Sequence, residues 1–329
     1  MTTPAEPLVE DLRVRLPAPP AGGLSPADAE RLRLRIGAAA QAHDTRRELA
    51  QAVGAVAVVA ACLLAVVGLV VVAARPGGDG PVTAPTATSR AVAVLDRMSA
   101  IAFTAPDTPV RADQFVYVRS RVISNNGALG GPVELTAPHP REIWLAQDSS
   151  SRGARGSVIR EDGQDWPIVT SGPDPAGIRR PTYSWLASLP TDPAALERML
   201  QSQVTVADGQ EPEQALFDAI GDLVSENVLP PRTAAALLDV VARIPGVDVD
   251  DDATDAIGRH GVGIGRTDTR FHVRSVWVFR AGTATVLGSR QYFTGRLAGP
   301  GAGSALFNAT AVLERAVVDR PGQEPGSRA

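Results

Sequence analysis

The sequence predicts an α+β protein held in a membrane: an N-terminal tail helix, one transmembrane helix, and an outer domain with a curved antiparallel sheet packed by helices. Three observations predict it. Ala52 to Ala74 is a run of 23 residues without a charged or strongly polar side chain. Alternating strand patterns lie on both sides of a block of helical patterns in the outer 230 or so residues. The composition adds the third: 329 residues carry one cysteine and 32 basic against 36 acidic residues, for a net charge of −4. That length accommodates roughly two ordinary domains. The single Cys62 excludes an internal disulfide framework and a cysteine-rich zinc site. All 32 basic residues are arginine, so lysine chemistry is excluded, and the near-neutral balance argues against a nucleic-acid surface.

Residues 1–48 form the tail. The first 24 are rich in proline and charge and read as flexible. Ser25-Pro26-Ala27-Asp28 then supplies a serine cap, a proline in the first turn and an early acid, which predicts a helix over about 26–43. Leu32 and Ile36, one turn apart, are its candidate partner-docking residues. Residues 49–75 follow as the membrane segment. At 1.5 Å per residue the 23-residue run makes a helix of about 34 Å, enough for a hydrocarbon core of about 30 Å. A buried core helix would carry a polar stripe, and a signal peptide would have a shorter apolar run with less chain before it. Arg31, Arg33, Arg35, Arg46 and Arg47 precede the span, against Arg75 and Arg90 after it. The positive-inside bias therefore places the tail in the cytoplasm and the rest outside, in a single-pass plasma-membrane protein. Val59-Ala60-Ala61-Cys62 resembles a lipoprotein cleavage site, but the apolar run continues to Ala74, which favours a small residue inside the span.

Residues 76–89 read as a flexible linker, and 90–320 as one domain. Arg90 to Phe103 has helical spacing, with Val94, Met98 and Ile101 as the expected buried side. Gln114 to Ile123, Arg141 to Gln147, Ser157 to Glu161, Trp166 to Thr170 and Thr182 to Ser188 read as strands, with a turn at Asn125-Asn126-Gly127. Helices are expected from Asp192-Pro193 to Gln203, over Pro212 to Glu226, and from Pro231 to Arg243. Phe271 to Phe279 alternates as a strand, Ala281-Gly282 turns it into Thr283 to Tyr292, and Phe307 to Val318 fits either a helix or a strand. Residues 321–329 read as a disordered end.

Several segments together carry a resemblance: Gln114-Phe115-Val116-Tyr117, Arg141-Glu142-Ile143-Trp144-Leu145, Leu189-Pro190-Thr191-Asp192-Pro193, Pro230-Pro231, Ile244-Pro245-Gly246-Val247 and Asp255-Ala256-Ile257-Gly258-Arg259. In this order they resemble an uncharacterised actinobacterial family of single-pass membrane proteins, over most of the chain up to about Tyr292. The resemblance implies a short cytoplasmic tail, one span, an outer sheet-and-helix domain like the LolA-type lipoprotein-carrier half barrel, and company with extracytoplasmic-function sigma factors. It brings no activity and no catalytic residues. One departure is the turn Arg280-Ala281-Gly282-Thr283, where the family has an Asp-Pro-x-Thr-Gly type.

Candidate sites are few. Asp248, Asp250, Asp251, Asp252 and Asp255 suit calcium by ligand type, but the sixth and twelfth positions from Asp248 are Ala253 and Arg259, which breaks the EF-hand pattern and favours a solvated turn. Gly261-Val262-Gly263-Ile264-Gly265 lacks the third glycine and the following helix of a dinucleotide fingerprint. His43, His139, His260 and His272 form no metal motif, and no G-x-S-x-G is present. No catalytic, cofactor or metal residues are therefore assigned. The expected function is non-enzymatic binding of a lipid or other apolar ligand, with Phe115, Tyr117, Trp144 and Trp277 as lining residues. The alternative is a transmembrane regulator whose tail binds a sigma factor.

Overall fold

The computed structural model describes residues 87–127, 132–148, 156–168, 175–298 and 303–326. The expected tail helix with Leu32 and Ile36, the span Ala52–Ala74 and most of the linker lie outside these residues. Among the described residues no helix is long and apolar enough to cross a membrane.

Helix α1 (Ser89–Phe103) starts on Thr88, whose hydroxyl accepts from the Ala91 amide at 3.1 Å. Its buried side is Ala91, Leu95, Met98 and Ala102, whereas the expected Ile101 is 41% exposed. Small residues decide the face, because Ser99 hydrogen-bonds to the Ala235 carbonyl at close range and large side chains would hold the helices apart. Strands β1 (Phe115–Ile123), β2 (His139–Ala146), β3 (Val158–Glu161) and β4 (Gln164–Pro167) then form an antiparallel meander. Asp162 and Gly163 link β3 to β4 with φ of 50° and 75°, the primed hairpin geometry, so β4 begins and ends earlier than its hydrophobicity suggests.

The expected strand over Thr182 to Ser188 is instead a short helix, α2 (Tyr183–Ala187), capped by the Thr182 hydroxyl on the Trp185 amide. Its β-rich composition yields to that cap. Helices α3 (Pro193–Gln203, capped by Asp192), α4 (Pro212–Glu226) and α5 (Pro231–Val241) each start with proline at the first turn. Strands β5 (Asp248–Thr254), β6 (His260–Asp268), β7 (Val273–Phe279), β8 (Val286–Thr294) and β9 (Ser304–Val318) complete the chain. The acidic segment expected as a turn is thus edge strand β5, whose charges and bulge at Asp250–Ala253 discourage pairing with other chains. The residues after Arg320 are folded as turns up to Gly326, and the Gln323 carbonyl accepts from Trp144 Nε1 at 2.8 Å.

The described strands form one nine-stranded antiparallel sheet in the order β4-β3-β2-β1-β9-β8-β7-β6-β5. The main core lies on one face, where α1, α3, α4 and α5 pack with Ile264, Trp277, Phe279 and Val286. The other face carries two smaller clusters, one around Tyr117 and Trp144 and one around Val276 and Val278.

Candidate functional site

The four expected lining residues do not share a cavity. Phe115, Tyr117 and Trp144 sit together, with Tyr117 and Trp144 tilted 46° at 5.3 Å. They pack on the face away from the helices, with Arg160 over the Trp144 ring and Gln323 on its indole nitrogen. Glu142 accepts from the Tyr117 hydroxyl, and burial pushes that hydroxyl's pKa up. Trp277 belongs to the opposite face, stacked on Phe217 of α4 at 4.0 Å and 12°. All four are at most 5% exposed.

The aspartates of β5 each have a partner of their own. Asp248 pairs with Arg274, Asp251 with Arg90 and Asp252 with His260, while Asp250 accepts from the Asp252 amide. Asp255, fully buried, takes the Ile257 and Arg259 amides and the Arg259 guanidinium. Arg259 reaches on to the carbonyls of Leu287 and Val312, so the pair ties the β5–β6 loop to β8 and β9. Among the described residues no three metal-ligating side chains converge. The three close glycines of β6 serve packing: a side chain at Gly265 would run into Arg274, and one at Gly263 into Ala253 and Val276.

A constellation that sequence reasoning passed over lies beside α4. One side of this helix, Leu216, Phe217, Ile220, Leu223 and Val224, fills the main core. The other side carries Gln214, Asp218, Asp222 and Glu226 at four-residue intervals, hence in one row. Both ends of the row are pinned to the sheet. At the start, Arg266 of β6 binds Glu211 Oε2 at 2.7 Å and Gln214 Oε1 at 2.9 Å. At the end, Arg141 of β2 binds Glu226 at 3.2 Å and Arg315 of β9 donates to the Ser225 carbonyl at 2.9 Å. The helix therefore crosses from β6 to β2, with Asp222 between its two pinned ends.

What the sheet presents there follows from its register. Trp277, Ser289 and Thr310 are opposite one another on β7, β8 and β9, as are Ser275, Gln291 and Asn308. Directly opposed residues share a face, and Trp277 faces α4, so Ser289, Thr310, Gln291 and Asn308 do too. All four are half-buried. Ser289 and Thr310 share a hydroxyl–hydroxyl bond of 3.0 Å. One step further along β8, half-buried Phe293 stacks on Phe307 at 4.2 Å, where a bulge shifts the β8–β9 pairing. The middle of a helix-backed sheet face is ordinarily apolar; here it is a cleft of hydroxyls and amides walled by carboxyls.

Burial pushes the Asp218 carboxyl up to about 6 against the opposing pull of Ser275, Gln214 and Arg266. Asp222 is pushed up to about 8, first by burial and then by the neighbouring charges of Glu226 and Asp218, with Arg141 opposing. Its residue surface is nevertheless exposed. The two observations agree for a carboxyl that water reaches at the mouth of a crevice with protein on its flanks. Water contact at that mouth opposes the effect of burial, so the push on Asp222 is upward in direction. Burial lowers Arg315 to about 10, which leaves it cationic.

A second depression, of about 510 Å³, lies between α1 and α5, walled by Phe103 and Arg232 and floored by Ala100, Ala235 and Ala236. The helix over Pro212 to Glu226 is legible in the sequence, and Gln214, Asp218, Asp222 and Glu226 recur along it at four-residue intervals, a spacing that marks the row. Set against known proteins, the chain matches no protein-family model, and no curated protein and no solved structure matches it.

Proposed function

We propose that the protein is a non-enzymatic binding module anchored in the membrane, and that its ligand site is the cleft beside α4. The anchor is the uncharged run Ala52–Ala74, with residues 1–48 cytoplasmic and the sheet domain outside, a reading supported by the arginine bias around the run. The observation that carries the site is the half-buried polar patch of Ser289, Thr310, Gln291 and Asn308 on the helix-covered face in the middle of the sheet. Polar side chains in that position are costly unless something hydrogen-bonds them. The aromatic set first expected to line a site is split between two faces, so the cleft suits a ligand with a polar part better than a wholly apolar lipid. The resemblance to the half-barrel lipoprotein carriers belongs to the same proposal, supported by one large sheet with its helices gathered on one face.

The test is native mass spectrometry of the full chain, purified from membranes in mild detergent. Discrete adducts are expected on the wild type and their loss on a Gln291→Ala/Asn308→Ala variant. An adduct-free spectrum, together with no change in Tm on adding an envelope extract, refutes the reading.

A further inference from the structure

We infer that the cleft beside α4 takes a sugar, recognised through the hydroxyls of a neutral pyranose or furanose ring. The inference rests on the binding reading above and names its ligand class.

Charge comes first. Glu226 is paired with Arg141 and lies near the cationic Arg315, and Asp218 accepts from the Gln214 amide at 2.9 Å, so the carboxylates and guanidiniums along the row offset one another. The side chains left to a ligand carry little net charge, so the cleft favours neither a strong anion nor a strong cation.

Geometry comes second. Neighbouring strands lie about 4.8 Å apart and same-face residues along a strand about 7 Å apart. Ser289, Thr310, Gln291 and Asn308 therefore mark the corners of a rectangle of about 5 by 7 Å, the footprint of a single ring bearing hydroxyls. Each corner side chain both donates and accepts, as sugar hydroxyls do. Gln291 and Asn308 make no side-chain hydrogen bond within the described residues, so their amides are available. Asp222 lies on the polar row of α4, the helix that covers this face of the sheet.

The apolar neighbour comes third. Phe293, backed by Phe307, stands at the next facing position beyond Gln291. One side of a sugar ring presents C–H groups and packs on an aromatic face while its hydroxyls engage amides and carboxyls. A fatty chain would find only this aromatic pair and would leave the Gln291 and Asn308 amides unpaired, at a cost of about 1–3 kcal/mol each.

The decisive measurement is saturation-transfer NMR on the full chain in lipid nanodiscs, with empty nanodiscs as the blank. The probes are glucose, galactose, mannose, arabinose and trehalose at millimolar concentration, with decanoate run in parallel. Transfer to the ring protons of at least one sugar is expected, with affinity falling about tenfold or more in Gln291→Ala/Asn308→Ala. Asp222→Asn is the second variant; it preserves shape and controls for a folding defect in the first. Sugar signals that persist in both variants place the sugar elsewhere and overturn the assignment. Decanoate signals that depend on Gln291 and Asn308, without any sugar signal, overturn the sugar class and leave the binding reading standing. No dependent signal from any probe removes both.

Discussion

Gly221 shows how little space α4 has. A Cβ there would run into the indole of Trp277, which Phe217 holds in place from its other face. Neither neighbour is a flexible chain end, so Gly221→Ala is expected to cost about 1–3 kcal/mol by overpacking, despite the better helix propensity of alanine. Urea melts that show no loss of midpoint would contradict this. The next residue, Asp222, has the opposite character. Its carboxyl titrates near 8 in the folded chain and near the ordinary aspartate value in the unfolded one. Between those values the folded state binds the extra proton, so this group makes stability fall as pH rises from about 4 to about 8. Asp222→Asn removes the term. Its Tm relative to wild type is expected to rise between pH 5 and pH 8, and a pH-independent difference would show that the carboxyl is not held protonated.

At the scale of elements, two connections without regular structure carry fixed loads. The β5–β6 loop is tied to β8 and β9 by the buried Asp255–Arg259 pair and by Arg290 donating to the Asp255 carbonyl. Breaking a buried pair from one side leaves an uncompensated charge, so Asp255→Ala is expected to destabilise by about 3–5 kcal/mol, with Asp255→Ala/Arg259→Met recovering part of it. A double-mutant cycle measures this directly. The turn after β9 is tied to β2 by the Trp144–Gln323 bond. Ending the chain at Asp319 is expected to cost about 1–3 kcal/mol and to shift Trp144 emission to the red.

These same elements show what the sequence could and could not disclose. Capped, proline-started helices such as α3 and α4 were readable because their start signals are local. The burial side of α1 was not, because it depends on Ala91 and Ala102 meeting α5, a contact remote in sequence. Strand β5 was read as a solvated turn because its aspartates mask a pattern that only a neighbouring strand completes. The cleft was hidden for a related reason. Ser289, Gln291, Asn308 and Thr310 look like ordinary exposed strand residues until the register of β8 with β9 and the crossing of α4 bring them onto the helix-covered face.

For the whole molecule, β1–β4 and β5–β8 are two meanders with β9 between β1 and β8. Trp144 reports on the first and Trp277 on the second, both at strand positions with little exposure. If β9 makes them one sheet, denaturation followed through either tryptophan alone should give coincident transitions. Two separated midpoints would mean two independently stable halves. The partner of β1 on this side is about 190 positions away along the chain, the kind of pairing that slows folding.

A strand that sits in the middle of the sheet yet is made last imposes an order on biogenesis. While residues 304–318 are still in the ribosome, β1 and β8 each present an open edge nine residues long. A chain interrupted before that point exposes two adhesive edges to every neighbour, whereas a finished one exposes only the short β4 and the acidic β5. Synthesis of β9 is thereby coupled to the disappearance of two open edges of the kind that chaperones and proteases bind.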